Sequence, residues 1–170
     1  AAVTSWASRV LPALLPLTGR SRPYASAQSA RDHIGRRALR PQPYGPPDKL
    51  RSDVAVTVHR RGCWPIYTVT PRTAEPERTV VYLHGGAWVN EIATPHWQLA
   101  AQLSAEAQAE VIVPIYPLVP FGTAAEVVPA IVDLVAAHHA PGHRMFLVGD
   151  SAGGQIALST ALLLRDDHDI

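Results

Sequence analysis

The run MFLVGDSAGGQIALSTALLL, residues 145–164, carries more structural information than any other part of the chain. Met145–Val148 reads as a short, wholly apolar strand, and Gly154 to Leu164 reads as a helix. Between them stands Gly149-Asp150-Ser151-Ala152-Gly153, a G-x-S-x-G. By composition this pattern arises by chance in about one chain of this length in twenty, so its flanks decide its meaning. Strand before and helix after are what a nucleophile elbow needs. Glycines two residues either side of the serine keep Cβ atoms out of a sharp turn. The hydroxyl then stands at the mouth of a sheet, over a helix N-terminus whose dipole favours developing negative charge. A glycine-rich phosphate turn is the competing reading, but the full G-x-G-x-x-G and the Walker lysine are both absent.

Working outward, Thr79–Leu83 (TVVYL) and Val111–Ile115 (VIVPI) are also almost entirely apolar. Continuous apolar strands belong to parallel sheets covered on both faces. Helical segments alternate with them. Thr94-Pro95 offers an N-cap with proline at N1, opening a helix to about Ala109. Thr123 and Glu126 have capping-box spacing ahead of Val127, Val128, Ile131, Leu134 and Val135 on one stripe, with Pro129 predicting a later start or a bend. Ala152 to Arg165 is apolar almost all round and is expected to be buried. Upstream, Val54, Val56 and Val58 alternate with polar or small residues, and Trp64 to Thr70 follows, so the two form a hairpin through Arg60–Cys63. The order ββ-β-α-β-α-β-α predicts an α/β fold with a mostly parallel sheet and flanking helices.

Directly after the strand Thr79–Leu83 comes His84-Gly85-Gly86-Ala87-Trp88. Consecutive glycines after a strand let the backbone supply N–H donors to an oxyanion. HGGAW followed about sixty residues later by GDSAGG resembles the hormone-sensitive-lipase-like group of α/β-hydrolases, a set of carboxylesterases and lipases. Tyr116-Pro117-Leu118-x-Pro120 is similar to a variant of that group's tyrosine-containing segment. The resemblance spans about residues 50–165 and implies a serine hydrolase of carboxylic esters. It implies Ser151 as nucleophile and the amides of Gly85, Gly86 and Ala152 as oxyanion hole. By the same resemblance His84 braces the oxyanion loop and is not the base, while Gly149, Asp150 and Gly153 build the elbow. Trp88 lines the substrate pocket or simply packs. An arylformamidase-like hydrolase and a non-catalytic remnant are the alternatives. The expected partner is a small-molecule ester, with no cofactor, no metal, no nucleic acid and no membrane contact. His138, His139 and His143 precede the elbow strand and read as loop histidines at its far end.

The resemblance also predicts what is missing. In α/β-hydrolases the acid and then the histidine follow the serine in the chain. Asp166, Asp167, His168 and Asp169 end the nucleophile helix, about 20 Å from its start at 1.5 Å per residue, too far to reach the hydroxyl. The sequence is therefore read as a C-terminally truncated hydrolase domain that hydrolyses esters poorly by itself. Its strand at Met145–Val148 becomes an open edge, suited to self-association or to a completing chain.

The first part of the chain differs in character. Residues 1–78 hold 13 of the 15 Lys/Arg and 5 of the 14 Asp/Glu, a net charge of +8, and residues 79–170 carry −7. Pro41, Pro43, Pro46 and Pro47 predict an extended linker. Before it, Ser26 to Leu39 is expected to form one short helix carrying Arg31, Arg36, Arg37 and Arg40, read as a solvated face. Residues 1–49 are thus a cap and linker segment, which the resemblance places over the pocket mouth, and residues 50–170 a partial hydrolase domain. Val10 to Leu17 with Ala25-Ser26-Ala27 outlines a secretory signal, but interrupting prolines and Arg20 and Arg22 oppose it, so a cytoplasmic location is expected and export is the minor alternative. The lone Cys63 excludes an internal disulfide, and no run of 18 apolar residues offers a spanning helix.

Overall fold

The structure is a computed structural model that describes Val10 and residues 22–73, 75–140 and 142–168. The apolar run from residue 11 and Asp169 fall outside the described residues. Two compact units divide the chain, Ala1–Pro41 and Gln42–Ile170.

In the first unit a 3-10 turn, Arg22–Tyr24, leads into helix α1, Ala27–Leu39. Ser26 caps it, its hydroxyl accepting the Ser29 amide at 3.1 Å, and Arg36 and Arg37 complement the dipole in the last turn. Tyr24 meets His33 edge-on, with ring centroids 5.7 Å apart.

The second unit opens on the proline-rich stretch. The Tyr44 carbonyl accepts the Trp97 indole N–H at 3.2 Å, so residues assigned by composition to the N-terminal segment pack with this unit. Strands β1 (Val54–Arg61) and β2 (Trp64–Pro71) pair antiparallel, Arg61 opposite Trp64. Gly62 at φ +61 takes the first central position of the two-residue turn. Then come β3 (Arg78–Leu83), α2 (Thr94–Ala107), β4 (Ala109–Pro114), α3 (Ala124–His138), β5 (Arg144–Gly149) and α4 (Ala152–Leu163), with a π-type turn over Leu164–His168.

The sheet order is β1-β2-β4-β3-β5, with β4, β3 and β5 parallel and β2 antiparallel to β4. Alternation along the strands divides the core. Ile66, Val81, Leu83 and Ile112 pack towards α3 and α4, and Val69, Val80, Tyr82, Val111 and Val113 towards Trp97, Ala100 and Ala101 of α2. Both faces are covered, which accounts for the nearly continuous apolar runs Val80–Leu83 and Val111–Pro114 in these strands.

Three local expectations change. The N-cap of α2 is Ala93, with Thr94 and Pro95 already helical. Its free N–H is met by the Nδ1 of His96 at 2.9 Å, so the side chain at N3 supplies the returning half of a capping box, and Ala93 has no side-chain oxygen to supply the other. Helix α3 starts where the capping box points, the Glu126 carboxylate accepting both the amide and the hydroxyl of Thr123 at 2.9 Å. Pro129 is accommodated in its second turn, at the loss of one backbone bond. Helix α4 is buried on one side only, with Leu158 71% and Leu162 52% exposed. It lies beside β5, which among the described residues is the sheet's edge and pairs with β3 alone. Among the described residues no helix is long and apolar enough to cross a membrane.

Candidate active site

The register of β3 with β5 creates the site. Leu83 pairs with Gly149, so the residues leaving the two strands, His84-Gly85 and Asp150-Ser151, emerge side by side at the C-terminal edge of the sheet. In open α/β sheets this edge is where ligands bind.

Ser151 sits between strand and helix at φ 50 and ψ −117, a conformation a non-glycine residue holds only when its surroundings impose it. Its side chain is exposed, while Ala152 and Gly153 behind it are buried. The flanking glycines make the turn possible. A Cβ on Gly149 would run into the Gly153 carbonyl, and one on Gly153 would run into the carbonyls of Leu83 and His84. The elbow and the loop after β3 therefore touch backbone to backbone.

Asp150 joins them through its side chain. Its Oδ1 accepts the Gly85 amide at 2.8 Å and the Tyr82 hydroxyl at 2.9 Å, and its Oδ2 lies 3.5 Å from the His96 Nε2. Burial and the neighbouring carboxylate push the Tyr82 phenol well up, so it remains a donor. One carboxylate thus gathers β3, the glycine loop and the start of α2.

The glycine loop is held peptide by peptide. The His84–Gly85 peptide is fixed at both ends: its carbonyl accepts the Tyr116 hydroxyl and its N–H is given to Asp150. In the next peptide the Gly85 carbonyl accepts the Nδ1–H of His84 at 2.7 Å. A trans peptide points N–H and C=O in opposite directions, so this bond turns the Gly86 amide away from His84. The Gly86 carbonyl accepts the Val89 and Asn90 amides, at 3.1 and 2.9 Å, closing the turn. Ala87 and Trp88 pass through it at φ 57 and 61. Among the described residues, the amides of Gly86, Ala87 and Ala152 donate to no protein acceptor.

That arrangement corrects one expectation. Gly85 does not present a free donor, because Asp150 has taken its N–H. The amides that follow it, Gly86 and Ala87, have no acceptor among the described residues.

His84 is fully buried, its ring stacked on Tyr116 with centroids 4.6 Å apart and an interplanar angle of 14°. Burial is the main reason its pKa falls from 6.5 to about 4, outweighing the bond to Gly85, which raises it. The neutral ring carries its proton on Nδ1, since a carbonyl can only accept, and leaves the buried Nε2 without a partner. Trp88 is half-buried and meets Tyr116 edge-on at 5.8 Å, and its carbonyl accepts the Val119 amide at 2.9 Å.

The remaining histidines and acids lie elsewhere. His143 precedes β5 at its far end and bonds Thr79 at 2.9 Å, while the His138 Nδ1–H donates to the Leu134 carbonyl at 2.8 Å. Asp166 pairs with Arg165 beyond α4, a helix about 18 Å long. Among the described residues no histidine bonds Ser151, and no three of His, Cys, Asp and Glu gather as a metal site. Sequence reasoning missed Tyr82 and His96. A phenol next to the last position of the otherwise apolar run VVYL was the one available signal for Tyr82. His96 gave none, because its role depends on where α2 begins.

Comparison with known proteins agrees with this geometry. Residues 80–170 match the model of the alpha/beta hydrolase fold family. Triacylglycerol lipase of Mycobacterium tuberculosis is 38% identical over 121 residues, 68% of this chain and 28% of the lipase. Carboxylesterase/phospholipase LipF of the same organism is 35% identical over 95 residues, 54% of this chain and 26% of LipF. The chain thus spans little more than a quarter of the length of these relatives. A Staphylococcus aureus protein of known crystal structure superposes with a TM-score of 0.74 at 21% identity, over 84% of this chain and 49% of that one, which establishes the shared fold. With the glycine loop and the serine elbow adjoining at the sheet edge, the chain belongs to the alpha/beta hydrolase fold family.

Proposed function

We propose that this chain carries the nucleophile half of a carboxylic ester hydrolase. The observation that carries the reading is Ser151 at φ 50 and ψ −117, raised from an elbow that adjoins two unpaired loop amides. In the proposed reaction the Ser151 oxygen attacks the ester carbonyl and its proton passes to a general base. The oxyanion is stabilised by the amides of Gly86, Ala87 and Ala152, and the acyl–oxygen bond to the alcohol breaks. Water then releases the acid from the acyl-serine. The amides are fixed before substrate arrives, because the carbonyls of their peptides are already held: that of Gly85 by the His84 ring, that of Gly86 by the Val89 and Asn90 amides, and that of Ser151 by the Gln155 amide. Relatives named as a lipase and a carboxylesterase support this class of substrate.

The base and its acid come from outside the described residues. His84 is buried and bonded to Gly85, and His96 faces Asp150. Among the described residues, the edge of β5 and the exposed leucines of α4 are where further strands carrying those groups would add.

The test is p-nitrophenyl acetate with the 170-residue chain. A serine without its base retains the oxyanion and binding contributions, roughly 10³–10⁴ over water in proteases stripped of a triad member. The expected result is slow nitrophenol release with an acetyl group accumulating on Ser151, both lost in Ser151→Ala. Brisk multiple turnover would contradict the absent base, and equal rates for chain and variant would contradict the nucleophile.

A further inference from the structure

We infer that His96 is a positioning residue for the oxyanion loop, acting through Asp150. The inference rests on the ester hydrolase reading, which supplies the loop's purpose.

Asp150 binds both ends of one loop. Its Oδ1 holds the Gly85 amide at 2.8 Å where the loop leaves β3, and its Oδ2 faces the His96 Nε2 at 3.5 Å where the loop enters α2. The Nδ1 of the same imidazole accepts the Ala93 amide at 2.9 Å. Since Nδ1 accepts, the proton of the neutral ring sits on Nε2, directed at the carboxylate. Residues 85–96 are therefore closed into a ring through one carboxylate and one imidazole. Gly86 and Ala87, whose amides face no protein acceptor, lie inside that ring.

Neither end suffices alone. The Gly85 amide and the Tyr82 hydroxyl both draw on Oδ1, so neither of them ties the carboxylate to α2. His96 supplies the second fixed point on Oδ2. Losing it leaves Oδ2 without its contact from α2 and unties that end of the loop, so rotation of the carboxylate about Cβ–Cγ, which strains the Gly85 bond and the peptide that presents the Gly86 N–H, is opposed less. His96 touches neither Ser151 nor the reacting carbonyl in this account, so its effect falls on how well the amides are aimed.

The test compares the chain with His96→Phe, which keeps ring volume and removes both nitrogens, and His96→Gln, which keeps a donor for Asp150. Three readouts apply: the His96 tautomer from ring ¹⁵N shifts at pH 8, amide exchange of Gly85, and the rate at which a fluorophosphonate labels Ser151. The expected tautomer is Nε2–H. In the phenylalanine variant Gly85 exchange rises and Ser151 labelling falls, each by about 3-fold, the scale of one part-exposed polar contact, and glutamine restores about half of each change on a logarithmic scale. An Nδ1–H tautomer, or unchanged exchange in His96→Phe, overturns the inference. If Ser151 resists labelling in every form, the hydrolase reading fails, while Gly85 exchange still decides whether the clamp exists.

Discussion

The buried imidazole of His84 should make the stability of this chain depend on pH in a defined window. In the unfolded chain His84 titrates near 6.5, and in the folded one it is pushed down to about 4, chiefly by burial. Between those values the unfolded state binds a proton that the folded state does not, so stability rises with pH across the window. The contribution is fully present above 6.5 and is lost as pH falls towards 4. At 1.36 kcal/mol per pH unit, a gap of about 2.5 units sets a ceiling of about 3 kcal/mol, a large share of a small domain's stability. Other groups titrate over the same range, so the comparison is with His84→Gln, which removes this titration alone. Urea denaturation followed by tryptophan fluorescence, at pH 7.5, 5.5 and 4, should show the advantage of the wild type over the variant shrinking as pH falls. A difference that stays constant to within about 0.5 kcal/mol across the three values would refute the assignment of a buried neutral ring. If the variant does not fold, the His84 ring resonances of the wild type decide the matter: they should not titrate above pH 5.

Two further outcomes follow from the backbone of the site. Gly153→Ala places a methyl group against the Leu83 and His84 carbonyls, so it should cost more than about 3 kcal/mol or abolish folding, read as a loss of the cooperative thermal transition. Ala87→Gly relieves a left-handed alanine at φ 57; with about 1–2 kcal/mol of strain removed and about 0.5–1 kcal/mol of backbone entropy added, it should raise the denaturation midpoint slightly, and a clear fall would contradict the loop conformation.

Much of the architecture was legible because local and global signals agree. The apolar strands β3, β4 and β5 announce a sheet covered on both faces, and the capping box at Thr123 and Glu126 marks where α3 begins. The elbow was legible because G-x-S-x-G between a strand and a helix has few structural solutions. What the sequence concealed are contacts between segments far apart in the chain. That Asp150 takes the Gly85 amide depends on the register of β3 with β5, which no local pattern encodes, and it shifts the free donors along the loop to Gly86 and Ala87. His96 was hidden because the threonine beside it looked like the cap. The all-apolar pattern of α4 suggested a buried helix, whereas with β5 at the sheet edge one side of it remains uncovered.

The central claim is that Ser151 is held as a nucleophile by the turn it occupies. Treating the chain with a fluorophosphonate and mapping the adduct by peptide mass spectrometry tests it most directly, since the exposed capping pair Ser26 and Ser29 serves as an internal control. The account predicts an adduct on Ser151, none on Ser26 or Ser29, and none anywhere in Ser151→Ala. No adduct on Ser151, or one spread evenly over the three serines, would contradict it.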